Sequence, residues 1–161
     1  MIKDSGSRTS FETGAVRDIQ KGKGRCDLMP LDVVAELINS DELLEIDHFK
    51  ETGDVEHLYS CLKIWCGDSP FFSVEKMLLE VSKHFEEGAE KYGENNWQLG
   101  LPVKGYINSA IRHYLKYCCN EQDEPHERAF CWNILCCIWT ILHKPEMNDF
   151  RKEAQYENFQ E

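Results

Sequence analysis

Residues 126–144, HERAFCWNILCCIWTILHK, are apolar on almost every face of a helical wheel. A helix without a polar stripe has to be buried all round, so the rest of this chain must wrap it. It is too short for a bilayer, with about 15 apolar-rich positions against the roughly 20 that a span requires. The constraint is therefore a central buried helix near the C-terminal end, covered by amphipathic partners.

Those partners are legible as apolar residues at helical spacing. Residues 31–40 begin a short helix after Pro30. Leu43, Leu44, Ile46 and Phe49 repeat in the next segment, then Val55, Leu58, Leu62 and Trp65, with Gly53 and Gly67 as punctuation. The segment 68–93 has the clearest ends, with Ser73 as N-cap and Gly93 as stop. Its stripe is Met77, Leu78, Val81, Phe85 and Tyr92. Residues 106–119 carry Ile107, Ala110, Ile111, Tyr114, Leu115 and Cys118 on one face. Alternation of strand type is scarce. The expected fold is all-α: a compact helical bundle around a buried C-terminal helix. Residues 1–13 read as a flexible polar lead-in, 14–30 as a Gly/Lys/Arg loop, 14–144 as one domain, and 145–161 as a polar tail.

The 161 residues suffice for one domain with a real core. A net charge of −11 argues against long nucleic acid as a partner, because phosphates would be repelled. It leaves small phosphorylated ligands open when a cation accompanies them. No secretory leader and no membrane helix is expected, which implies a cytoplasmic protein. The eight cysteines show no CxxC pair and lie in apolar segments, so they read as reduced small hydrophobes.

Two acidic clusters could carry chemistry. In HFEEGAEKYGENNW, residues 84–97, Glu80, His84, Glu87 and Lys91 fall on one stripe beside the apolar face, while Glu86 and Glu90 point further out. Such a stripe is either a solvated face of ion pairs or an oxygen-rich metal site between helices. In NEQDEPHERAF, Asp123, Glu124, His126 and Glu127 lead into the buried helix, with Asn133 seven residues beyond His126. Helix capping explains them as readily as ligation. A buried Asn133 needs partners, which an acidic site at the helix mouth would supply. Arg112, His113 and Lys116 share the flank of their helix and suit phosphate oxygens. Arg17, Lys21, Lys23 and Arg25 form the one basic cluster, and Asn95, Asn96 and Trp97 could meet a base.

Taken together, TGAVRDIQKGKGRCDLMP, FEEGAEKYGENNWQLGLP, SAIRHYLKY and DEPHERAFCWN resemble successive blocks of the dATP/dGTP diphosphohydrolase N-terminal family of phages, prophages and their bacterial hosts. That resemblance implies a more distant likeness to the all-α MazG-like nucleotide pyrophosphohydrolases, which hold Mg²⁺ (or Mn²⁺) on E-x-x-E and E-x-x-D helices. Glu87 and Glu90 would fill the first motif. Glu124 and Glu127 would fill the second, with Glu127 in place of Asp and with Glu86 and Asp123 beside them. It also implies hydrolysis of a deoxynucleoside triphosphate to the monophosphate and pyrophosphate. Glu87, Glu124, Lys91 and His113 would serve the chemistry, and Arg112, Lys91 and the loop cations would neutralise charge. A homo-oligomer is implied, and residues 39–70 stand as a helical insertion. The other readings are a non-catalytic nucleotide-sequestering protein and a helical interaction module.

Overall fold

The buried helix sets the architecture. The computed structural model describes residues 1–67 and 73–150. Residues 68–72, where the expected insertion ends and the segment 68–93 begins, and residues 151–161 of the expected tail lie outside the described residues. Helix α6, His126–His143, buries Phe130, Cys131, Ile134, Cys136, Cys137 and Ile138. Helix α5, Val103–Cys118, packs along it, with α4, Val74–Tyr92, and α3, Glu56–Cys66, on its other sides. Helices α1, Leu31–Ile38, and α2, Asp41–Thr52, stack in turn onto α3. The all-α reading holds.

Aromatic packing ties the layers. The Phe130 ring centroid lies 4.7 Å from Trp65 of α3 and 5.6 Å from Tyr114 of α5. Leu43, Ile46, Phe49 and Leu58, all from residues 39–70, are fully buried in the same core as α5 and α6. The expected insertion is thus a structural wall of one core.

Local chemistry sets the helix ends. The Ser73 side chain accepts from the Lys76 N–H, as the cap reading required. Ser40 caps α2 through Leu43 N–H and also donates to the Tyr114 hydroxyl at 2.7 Å. Three stripe assignments are corrected. Leu44 and Leu78 are 37% and 44% exposed, and Cys118 is exposed at the end of α5. All eight cysteines are free thiols, five of them buried.

The N-terminal segments also differ from expectation. Arg8–Ser10 (β1) pairs antiparallel with Val16–Asp18 (β2), in the register Arg8↔Asp18, Thr9↔Arg17 and Ser10↔Val16. Each strand has three residues, too few for a visible two-residue period. Gly14, at φ +86°, makes the turn between them, where L side chains are strained. Residues 1–13 therefore contribute a strand to the fold instead of serving only as a lead-in.

Candidate functional site

The hairpin, the C-terminal half of α4, α5 and α6 enclose a cavity of about 530 Å³. Asn96 fixes the hairpin to the end of α4 as a substitute strand. Its side chain accepts from Val16 N–H and donates to Val16 C=O, both at 2.8 Å. The Tyr92 hydroxyl accepts from Asp18 N–H at 3.1 Å. Through these bonds β2 delivers Arg17 inward, where its Nη2 donates to Asn133 Oδ1 at 2.6 Å. Gly88 and Ala89, both small, keep the α4 wall open.

The lining runs against the charge of the whole chain. Lys3, Arg17, Lys23, Lys91, Arg112 and Lys116 face Asp4, Asp18 and Glu124. Several are matched: Lys23 pairs with Asp18 at 2.8 Å and Lys91 with Asp4 at 3.8 Å. Arg17 and Arg112 are different, because neither forms an ion pair among the described residues. Arg112 donates only to Gln20 and Ser109, each at 3.2 Å. Each arginine keeps one buried Nη1 with no hydrogen-bond partner. Burial lowers the pKa of both guanidinium groups, the expected consequence of desolvating a cation. The site therefore holds uncompensated positive charge, which fits an anion. Phe85, Tyr92, Trp97 and Trp132 add aromatic rings to the lining.

The expected carboxylate constellation does not assemble. Glu87 accepts from Arg128 Nη2 at 2.5 Å and from Ile2 N–H at 2.8 Å. Burial pushes the Glu87 carboxyl up, yet the Arg128 and Ile2 bonds bring it below the ordinary value. Glu86 and Glu90 are exposed on the outer side of α4. Glu127 is exposed and lines a separate recess with Trp65, Lys76 and Arg128, so it does not share a site with Glu124. The reason is local: Glu124 precedes the N-cap Pro125 and does not follow the helical repeat of α6. Among the described residues no three carboxylates lie within ligating reach of one another. The carboxylates that do line the cavity are Asp4, Asp18 and Glu124.

What converges instead is a histidine pair. His113 Nδ1 and His126 Nδ1 lie 3.0 Å apart, and Glu124 Oε1 is 3.8 Å and 4.0 Å from them. His126 Nε2 is 2.6 Å from Asp123 Oδ1, and Lys3 Nζ donates to Asp123 Oδ2 at 2.8 Å. Burial, with Arg112 and His126 nearby, holds the His113 pKa well below the ordinary value. Burial and Arg128 bring His84 down to about 4.

Of the other residues singled out in the sequence, Asn95, Trp97 and Lys116 line the cavity. Lys21 and Arg25 do not; they are exposed, and Arg25 closes a bidentate pair with Asp27 at 2.7–2.8 Å. Trp97 packs edge-on to Phe85 and Trp139. Both Asn96 amide groups are used on Val16. Asn133 finds Arg17, not an acid, as its partner. Asp18, Gln20, Tyr92 and Ser109 were missed: each is short of charge or isolated in sequence. Arg128 was missed too, although a lone arginine within an apolar helix was a signal.

The chain was compared with known proteins. Residues 71–150 match the family model for dATP/dGTP diphosphohydrolase, N-terminal. Neither the curated proteins nor the solved structures compared with the chain give a match. The matched segment covers α4, α5 and α6, the three helices that wall the cavity. Over residues 71–150 the chain is thus similar to the dATP/dGTP diphosphohydrolase N-terminal family.

Proposed function

We propose that the cavity binds a deoxynucleoside triphosphate, dATP or dGTP, and hydrolyses it to the monophosphate and pyrophosphate. The observation that carries the reading is the pair of cavity-lining arginines, Arg17 and Arg112, without a carboxylate partner on a chain of net charge −11. A volume of about 530 Å³ is in the range of small-molecule sites. The phosphates lie toward Arg17, Arg112, Lys23 and Lys116, and the base lies toward Trp97, Phe85 and Tyr92. Glu124, which accepts from Lys3 N–H at 3.2 Å, is the carboxylate at the cavity that no arginine or lysine side chain claims. It takes a proton from water as the water oxygen attacks the α-phosphorus and the bond to the bridging oxygen breaks. The arginines stabilise the charge that accumulates on the departing pyrophosphate.

Calorimetric titration with a non-hydrolysable α,β-methylene dATP tests the binding half. Arg17→Ala and Arg112→Ala should each weaken affinity about 10- to 100-fold, the range for a charge-assisted hydrogen bond. Unchanged affinity in both variants sinks the reading. Binding without turnover in the intact protein would favour a sequestering role.

A further inference from the structure

Outside the phosphate-facing arginines, the densest group of ligating atoms sits where the end of α5 meets the start of α6. We infer that His113, His126 and Glu124 form a site for a first-row transition-metal ion, with Asp123 behind it as an orienting carboxylate. This inference does not rest on the hydrolase reading, because metal binding is measured without nucleotide.

Geometry carries it. The three candidate donor atoms, His113 Nδ1, His126 Nδ1 and Glu124 Oε1, form a triangle with edges of 3.0, 3.8 and 4.0 Å. Ligands about 2.0–2.1 Å from a tetrahedral ion are about 3.3 Å apart, so small side-chain rotations close this triangle onto a metal. His126 is 1% exposed and anchored by α6, and His113 is held by α5. Asp123 Oδ1 on His126 Nε2 at 2.6 Å fixes the tautomer that leaves Nδ1 as the acceptor. Carboxylate–histidine–metal arrangements work in this way. Lys3 N–H holds the other Glu124 oxygen at 3.2 Å, which leaves Oε1 turned to the histidines. A metal takes the lone pair of His113 Nδ1, so the proton that bridges the two Nδ1 atoms moves to His113 Nε2 and the ring stays neutral.

Two nitrogens and one oxygen select Mn²⁺ through Zn²⁺ over Mg²⁺, for which imidazole is a poor ligand. His113 and Glu124 both line the cavity, so a bound ion has an open side toward it. A second group, Glu45, His48 and His57, is a competitor for metal elsewhere on the molecule. There His57 Nδ1 is already closed onto Glu45 at 2.7 Å, as in an ordinary ion pair.

Titration of the full chain with Co²⁺, followed by its visible d–d absorption, tests the inference. One equivalent should bind in the wild type and in His57→Asn, and a millimolar excess of Mg²⁺ should not displace it. His113→Asn and Glu124→Gln should weaken binding more than 10-fold, and Asp123→Asn by 10- to 100-fold. Circular dichroism checks that each variant is folded. Should His113→Asn fail to fold, the Glu124→Gln and Asp123→Asn results decide alone. A band that survives Glu124→Gln, or vanishes only in His57→Asn, overturns the assignment. Ready displacement by Mg²⁺ overturns the choice of metal class.

Discussion

Arg112 is held in the cavity by two neutral partners, Gln20 and Ser109, and by no carboxylate. Its removal therefore breaks no ion pair, and the protein should keep its fold while nucleotide affinity drops. His84 behaves oppositely: it is 7% exposed, packs on Trp132 and bears a buried Nδ1 without a partner. Folded, it resists protonation to about pH 4, whereas the unfolded imidazole takes a proton near its ordinary pKa of 6.5. As pH falls below 6.5 the unfolded chain binds a proton that the folded chain refuses. Stability is thus full above 6.5 and declines toward pH 4, by up to about 3 kcal/mol from this residue. Melting temperatures between pH 7.5 and 4.5 should fall in the wild type and fall less in His84→Gln. Equal slopes would contradict the assignment. Of the cations singled out in the sequence, Arg17, Lys23, Lys91, Arg112 and Lys116 line the cavity, whereas Lys21 and Arg25 do not. The sequence misjudged the carboxylates, because helical spacing does not reveal that Arg128 reaches across from α6 to occupy Glu87.

The elements owe their positions to α6. Phe130 fills the space between Trp65 and Tyr114, so Phe130→Ala should cost about 3–5 kcal/mol in urea denaturation. Ser40 does two jobs, capping α2 and bonding the Tyr114 hydroxyl, and Ser40→Ala should cost about 1–3 kcal/mol by the same measurement. A loss below 0.5 kcal/mol, well under the usual range for a cap, would show that the Tyr114 bond adds nothing. Helices of three or more turns were legible because their apolar repeats outlast local noise, and Ser73 and Gly93 mark α4 correctly. The hairpin was not legible: three-residue strands carry no period. Its placement depends on Asn96 and Tyr92, about 80 residues away in sequence. Nor did spacing show that α1–α3 share the core of α5 and α6.

Across the whole molecule, a chain of net charge −11 lines its cavity with six cationic side chains against three carboxylates, a balance that would favour a small polyanion there. No helix among the described residues is long and apolar enough to cross a membrane. The homo-oligomer implied by the family resemblance would have exposed Leu79, Leu37 and Val33 to cover. Light scattering should then give a mass of at least twice 18.8 kDa. The most direct test of the central claim is hydrolysis of dATP and dGTP in ¹⁸O-labelled water, with products resolved by mass spectrometry. Attack at the α-phosphorus predicts deoxynucleoside monophosphate carrying one ¹⁸O, unlabelled pyrophosphate, and rates that collapse in Glu124→Gln. Label in released phosphate or pyrophosphate, or full activity in Glu124→Gln, would contradict the account.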